Sequence, residues 1–265
     1  MNQNNKIHLP GDHPWQNHIV LLESVDSTNT YAKNLAEKGA PEGTCVIARQ
    51  QTDGKGRMGR SFYSPSGHGM YLSVVLRPEC TPNKLMHLTC AVAVAVCNAV
   101  ERACGKRPQV KWINDLIFSR KKLGGILTEL SIDPITGLVR YAIAGIGINC
   151  THQKEDLPQQ LQSFVTSLAM EGAQVSALEL AEQTVLALYE MNGQLLSNQK
   201  HLMDQYKKDC MTVGQQVVLH KAEELSYGTA LDLDPDGGLI VQFQDGTVQT
   251  VSSGEISVRG MYGYV

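Results

Sequence analysis

Runs of apolar residues with helix and strand periods alternate along most of the chain, and the texture changes near its end. "HIVLLESVDSTNTYAKNLAEKGA", residues 18–40, reads as a strand, a turn and a helix. Asp26 or Ser27 can cap that helix and Gly39 can end it. "TCVIARQ" is a buried strand, and "GMYLSVVLRP" is another, stopped by Pro78. Residues 83–104 are apolar almost all round, which predicts a long buried helix. "QVKWIND" and "LIFSRKKLGGILTELSI" predict strands joined by a basic hairpin, and "DPITG" is a turn leading into the strand "LVRYAIAGIGIN". Two helical stretches follow, the stronger opening at Ser176 with Glu179 three residues on, the spacing of a capping box. Beyond Cys210 short strands ("GQQVVLH", "YGTALDLD", "GLIVQFQ", "TVQTVSS") alternate with "DPDGG" and "QDG" turns. That pattern predicts a small barrel over residues 213–265, docked on a larger unit over 1–212.

Composition narrows the class. The 265 residues are 42% hydrophobic and 18% charged, enough for a globular core. Net charge is −3 and the pI about 6.2, without the basic excess of a protein that lives on a nucleic-acid backbone. Cationic function must therefore be local. Seven cysteines, odd in number and without a C-x-x-C, sit partly inside apolar runs such as "LTCAVAVAVCNAV". They predict reduced thiols packed as small hydrophobes. The first residues have no apolar signal core, and the apolar run 88–97 is shorter than the ~20 residues of a membrane span. A soluble cytoplasmic protein is expected.

Against this acidic background "QQTDGKGRMGRSFYSP", residues 50–65, sets Lys55, Arg57 and Arg60 among Gly54, Gly56 and Gly59. It is neither a Walker A loop nor a convincing dinucleotide fingerprint, because no helix opens after it. A solvated basic loop would account for the cations alone. Its root on a buried strand and the planar Phe62 and Tyr63 beside it favour a cationic flap over an anionic ligand. In "VKWINDLIFSRKKLGG" an ordinary charged hairpin tip explains Arg120 and Lys121 but not Asn114 and Asp115, a polar pair between apolar residues that needs partners. In "AGIGINCT" Gly145 and Gly147 mark either a bulge or backbone kept bare for a flat ligand, with Asn149 at its edge. There is no H-E-x-x-H and no G-x-S-x-G; His8, His13 and His18 read as a polar tail, and Cys150 beside His152 is not convincing as a dyad.

Taken together these segments resemble the biotin protein ligases. Gly54-Lys55-Gly56-Arg57-Met58-Gly59-Arg60 matches the family's G-R-G-R-x-G-R with lysine for the first arginine. Lys111-Trp112-Ile113-Asn114-Asp115-Leu116 matches K-W-P-N-D-L with isoleucine for proline, and Lys121 to Ile126 matches R-K-L-A-G-I. Asp26-Ser27-Thr28-Asn29, the G-x-G-I-N of Gly145 to Asn149, and G-E-I-S-[LV]-R at Gly254 to Arg259 complete the set in order.

The resemblance implies an α/β (α+β) catalytic domain of the class II synthetase, biotin–lipoyl ligase type, with a mixed sheet, flanking helices and a carboxy-terminal SH3-like barrel. It implies a ligase that forms biotinyl-5′-adenylate from biotin and ATP and transfers biotin to a lysine of a carboxylase's biotin carboxyl carrier domain. Carried over by position, Ser27, Thr28, Asn29 and Gln51 would line the biotin ureido pocket. Gly54, Lys55, Gly56 and Arg57 would close over the acyl-phosphate, Lys122 would reach the carboxylate and α-phosphate, and Gly125 would border the valeryl chain. Lys122, Arg57 and Lys55 would carry the catalysis. Arg60, Phe62, Lys111, Asn114, Asp115 and Asn149 would serve ATP. Magnesium is expected with ATP, its ligands unassigned and Asp115 a candidate. Few residues precede the first strand, which resembles the short form without a DNA-binding domain; neither DNA nor a membrane is an expected partner, and a homodimer is compatible. The rival readings are a lipoate–protein ligase of the same fold, a non-catalytic biotin- or nucleotide-binding regulator, and a nucleic-acid-binding module.

Overall fold

The computed structural model describes residues 7–221, 224–252 and 257–260. Its strands are β1 (Ile19–Leu22), β2 (Cys45–Ala48), β3 (Gly69–Leu76), β4 (Gln109–Lys111), β5 (Asp115–Phe118), β6 (Lys121–Ile132) and β7 (Val139–Asn149) in the larger unit. They form one seven-stranded sheet in the order β1-β2-β3-β7-β6-β5-β4. β1 and β2 are parallel and are joined across the sheet by helix α1 (Thr28–Glu37); every other neighbouring pair is antiparallel. Ser27 is the residue before α1 but its hydroxyl makes no cap bond; Gly39, at φ 86°, ends the helix with its N–H on the Ala36 carbonyl.

Period-two alternation assigns the two faces of the sheet. Met70, Leu72, Val74 and Leu76 of β3 and Ala142, Ala144, Ile146 and Ile148 of β7 face one way. They pack with α2 (Leu88–Cys104) and α3 (Ala177–Gln194). α2 is buried on nearly every side, as its composition predicts, and starts later than expected because Pro82–Leu85 form a separate 3-10 turn. The 23-residue stretch Pro82–Cys104 is long and apolar enough to cross a membrane by length and composition, yet 72% of its apolar window is buried inside the protein. Ser176 caps α3, its hydroxyl accepting from the Glu179 N–H at 3.1 Å. The opposite face is only partly covered: Ala32 and Ala36 of α1 pack on Val46, Val75, Tyr141 and Ile143. The far part of that face is left open, and strand register decides what stands there. Asp115 pairs with Gly125, Gly125 with Gly147, and Gly147 with Tyr71, a row across four strands; beside it Leu127 pairs with Gly145 and Gly145 with Ser73.

Two expectations change. Trp112 to Asn114 do not continue a strand but turn the chain between β4 and β5, and the Trp112–Ile113 peptide is cis. The amino-terminal segment is no polar tail: Ile7, Leu9 and Trp15 are buried, and the Trp15 ring lies where a Cβ on Gly43 would stand, 2.1 Å away. His13 meets the Tyr189 ring edge-on at 4.6 Å.

After α4 (Gln199–Asp209) come β8 (Gln216–Lys221), β9 (Glu224–Leu233), β10 (Leu239–Phe243), β11 (Val248–Val251) and β12 (Ser257–Gly260). They form a five-stranded antiparallel sheet in the order β11-β10-β9-β8-β12; among the described residues no pairing joins β11 to β12. Gly254, Glu255 and Ile256 of the last motif lie outside the described residues, and Ser257–Gly260 pair with β8. The sheet docks through its β9–β10 turn. The Trp112 indole N–H donates to the Gly237 carbonyl at 2.8 Å, and Lys207 of α4 pairs with Asp232 at 2.6 Å.

Candidate functional site

The glycine-rich segment is folded as a small hairpin over the open face. Lys55 bridges to Ser61, the Gly56 N–H donates to the Arg60 carbonyl at 2.7 Å, and the Phe62 N–H donates to the Gly54 carbonyl at 2.7 Å. Its tip is a 3-10 turn, Arg57–Gly59, with Met58 at φ 56° and Gly59 at φ 70°. Gly54 is needed for close packing, since a Cβ there would stand 2.5 Å from the Phe62 carbonyl oxygen. Under the hairpin lies a cavity of about 370 Å³, a size usual for small-molecule sites.

One end of the cavity is a hydrogen-bonded wall at the amino-terminal end of α1. The Gln51 Oε1 accepts from the Thr28 N–H at 2.9 Å and lies 3.0 Å from the Thr28 hydroxyl, while its Nε2 donates to Ser64 at 2.9 Å. Asn29 Nδ2 donates to Glu129 Oε2 at 2.7 Å and to the Leu127 carbonyl at 3.3 Å. The buried Ser73 hydroxyl lies 2.6 Å from Asn29 Oδ1 and 2.8 Å from Thr28 Oγ1. Ser27 is on the same wall.

The other end is charged. Lys55, Arg57, Arg60, Lys111 and Lys122 line the cavity with a single carboxylate, Asp115, among the described residues. Lys122 Nζ meets Asp115 Oδ1 at 2.6 Å with both side chains mostly covered. Arg57 Nη1 donates to Asn114 Oδ1 at 3.1 Å, and Asn114 Nδ2 donates to the Ile126 carbonyl at 2.9 Å. Burial pulls the Arg57 pKa down from the ordinary guanidinium range and Asp115 opposes that shift; a guanidinium stays charged at any physiological pH. Lys55 Nζ donates to Thr30 Oγ1 at 3.1 Å, tying the hairpin to α1.

The glycines of the floor have distinct tasks. A Cβ on Gly145 would stand 1.9 Å from Asn29 Oδ1, and one on Gly147 would stand 2.5 Å from the Phe62 ring. The bare backbone therefore admits Asn29 and Phe62, which then line the cavity themselves. Gly125 lies on the floor between Lys122 and Asp115, each about at van der Waals distance from its missing Cβ, at 3.5 and 3.6 Å.

Nearly all the residues singled out from the sequence converge here. Of those given a role in the site, two do not reach the cavity. Gly54 lies in a second recess, on the outer side of the hairpin, with Asp53 and Glu129. Asn149 is buried, and its amide donates to the Thr166 carbonyl at 3.0 Å, holding the segment whose Phe164 carbonyl accepts from the Lys122 N–H at 2.8 Å. Tyr63 turns away toward the Asp156 carbonyl. Ser73, Trp112, Leu127, Glu129 and Phe164 belong to the site or its support and were not singled out. A lone serine inside "GMYLSVVL" is the same signal as Asn114-Asp115, a polar group among apolar neighbours.

Burial disposes of Cys45 and Cys150 as nucleophiles. Every described cysteine is free, and burial pushes the Cys45 and Cys150 thiols up to about 12. With His152 pulled down to about 4, first by burial and then by His68, Cys150 and His152 do not form a thiolate–imidazolium dyad.

Residues 21–149 match the Biotin/lipoate A/B protein ligase family, and residues 212–259 match the Biotin protein ligase C terminal domain. The bifunctional ligase/repressor BirA of Bacillus spizizenii is 32% identical over 246 residues, covering 91% of this chain and 74% of that protein. The chain belongs to the biotin protein ligase family. Family members at greater distance include the biotin–[acetyl-CoA-carboxylase] ligase of Mycobacterium tuberculosis, 28% identical over 90% of this chain and 88% of its own length. The biotin protein ligase of Aquifex aeolicus, solved in complex with biotin and ATP, superimposes with a TM-score of 0.75, 27% identity, and coverage of 92% of this chain and 99% of its own.

Proposed function

We propose that this chain condenses biotin with ATP to biotinyl-5′-adenylate and transfers the biotin to a lysine of a biotin carboxyl carrier domain. The observation that carries the reading is the cavity's lining: five cations against one carboxylate, with Arg57 and Lys122 gathered at Asn114 and Asp115, and a neutral wall built around Thr28 and Gln51. A triphosphate and a carboxylate fit the first, and a ureido ring fits the second. The aliphatic tail lies over Gly125 and beside Leu127 in this reading.

In the first step a biotin carboxylate oxygen attacks the α-phosphorus, the new P–O bond forms, and the bond to the bridging oxygen breaks so that pyrophosphate leaves. Two anions approach each other, so fixed cations are needed where charge accumulates. In this reading Lys122 and Arg57, which line the cavity, supply them, and Lys55 and Arg60 extend the field from the hairpin. At 4 Å a charge pair gains ~1 kcal/mol in water and ~4 kcal/mol at an effective dielectric of 20, so a hairpin that excludes water strengthens each contact. In the second step a neutral lysine amine attacks the acyl carbon, the C–O bond to AMP breaks, and the amine proton passes to solvent.

Nucleotide contacts are assigned to Lys111, Asn114, Asp115 and Phe62 at the charged end, and Asn149 acts there by holding the segment behind Lys122. Among the described residues no cluster of three metal-ligating side chains exists. That suits magnesium, which keeps waters and phosphate oxygens and takes few protein ligands, here Asp115. When bound, the ion neutralises phosphate charge. Two structural units, 1–212 and 213–265, are supported by the change from a mixed sheet to an all-antiparallel one. Radiolabelled biotin incubated with this chain and a purified carrier domain should label the carrier only with ATP present. Label that appears with lipoate but not biotin, or no ATP-dependent label, would refute the assignment.

A further inference from the structure

We propose that Glu129 fixes the hydrogen-bond polarity of the Thr28–Gln51 wall, so that the wall offers acceptors to the ligand and selects a ring bearing N–H groups. The inference rests on the biotin reading of the site and adds to it a positioning residue outside the cavity.

One chain of contacts runs from Glu129 to Gln51, and each hydroxyl in it carries a single proton. Two groups that only accept, the Glu129 carboxylate and the Leu127 carbonyl, face one end of the Asn29 amide at 2.7 and 3.3 Å. That end must be the NH₂, and the carbonyl Oδ1 must point the other way, over Gly145. Oδ1 lies 2.6 Å from the Ser73 hydroxyl and can only accept, so Ser73 gives its one proton to Asn29. Ser73 then has none to spare for Thr28, 2.8 Å away, and its free lone pair is open to the Thr28 proton instead. Thr28 can therefore turn its one proton from Gln51 Oε1, 3.0 Å away, to Ser73, which leaves Oε1 with the Thr28 backbone N–H at 2.9 Å when a ligand N–H arrives.

At the cavity, this ordering leaves the lone pairs of Thr28 Oγ1 and one lone pair of Gln51 Oε1 unengaged by the wall. The reverse ordering, with the Asn29 amide turned over, would run Asn29 to Ser73 to Thr28 to Gln51 and saturate Oε1. Nothing in Ser73, Thr28 or Gln51 chooses between the two, because hydroxyls rotate. Gln51 itself is held the right way round, since its Nε2 donates to Ser64, whose own proton goes to the Phe62 carbonyl at 2.9 Å. The choice of polarity is made at Glu129, at the rim of the outer recess, where the side chain is half-exposed and can be replaced without opening the core.

The test compares Glu129→Leu, which removes the carboxylate, with Glu129→Gln, which keeps an acceptor oxygen, and with Ser73→Ala, which cuts the relay beyond Asn29. Biotin, ATP and a biotin analogue with one ureido N–H replaced by a ring oxygen are titrated separately. Glu129→Leu should weaken biotin by about 10- to 100-fold, leave ATP within about twofold, and shrink the preference for biotin over the oxygen analogue by about tenfold. Ser73→Ala should shrink that preference as well, and Glu129→Gln should restore most of the binding. Equal losses for biotin and ATP, or an unchanged preference in both Glu129→Leu and Ser73→Ala, would overturn the polarity argument while leaving biotin ligation standing. An unsubstituted chain that takes up no biotin would overturn both.

Discussion

Replacing Gly145 by alanine asks the fold to accept one methyl group at its tightest point. The added Cβ would stand 1.9 Å from Asn29 Oδ1 and 2.7 Å from its Cγ. Asn29 cannot swing aside cheaply: it is 4% exposed and held by Ser73, Glu129 and the Leu127 carbonyl at 2.6, 2.7 and 3.3 Å. Losing the charge-assisted bond to Glu129 costs about 1.5–3 kcal/mol and each neutral bond about 1 kcal/mol. Alanine in place of glycine returns about 0.5–1 kcal/mol of backbone entropy, so the net loss is about 2.5–4.5 kcal/mol. At roughly 2–4 °C per kcal/mol for a chain of this size, the melting temperature should fall by roughly 5–18 °C. Gly193→Ala is the control, because that glycine lies in α3 with nothing within 4 Å of the added atom; it should stabilise by about 0.5–1 kcal/mol. Thermal unfolding followed by circular dichroism, with and without saturating biotin, reads both. Ligand should raise the melting temperature of Gly193→Ala and scarcely that of Gly145→Ala. Two alanine variants that melt alike would refute the claim that Gly145 exists to admit Asn29.

Three further outcomes are expected. Arg57→Ala removes the bond to Asn114 and a cation from the charged end, and KM for ATP should rise at least about tenfold in pyrophosphate-release kinetics; a change under twofold would count against the hairpin's role. Trp112→Phe leaves the Gly237 carbonyl without its indole donor, costing about 1–3 kcal/mol in denaturant unfolding, and should raise KM for ATP more than for biotin because Trp112 lines the cavity beside Lys111. His152 is buried with its pKa lowered from 6.5 to about 4. The unfolded chain therefore binds the proton more readily between those values, and the stability present above pH 6.5 is lost as pH falls toward 4. His152→Leu should flatten that slope by about 1–2 kcal/mol after solvent screening, and parallel stability–pH curves for the two proteins would show that His152 does not set it.

Much of this protein is legible locally. The helix 177–194 opens at the serine that its spacing marks, and the long apolar helix is buried because its composition leaves no polar face. The cationic segment leaves β2 and folds over a ligand-sized cavity as its glycines and charges suggest. Other readings fail where local pattern and tertiary demand part. Trp112 to Asn114 follow a strand in sequence and look like its continuation, yet they turn the chain so that Asn114 can face Ile126 and Arg57. Asn149 carries a polar amide at the end of an apolar strand, where a ligand edge and a neighbouring carbonyl make the same demand.

Order of motifs, the presence of cations in an acidic chain and the polarity of Asn114-Asp115 among apolar neighbours were determined by the sequence alone, because each depends on neighbours a few residues away. Strand register was not. It aligns Tyr71, Gly147, Gly125 and Asp115 in one row and Ser73, Gly145 and Leu127 in the next, and it brings Glu129 to Asn29 across 100 positions of chain. A shift of one residue would turn every one of those side chains to the other face of the sheet. Which partner a strand takes, and in which register, is settled by packing α1 on one side and α2 with α3 on the other, and only the folded sheet makes that choice.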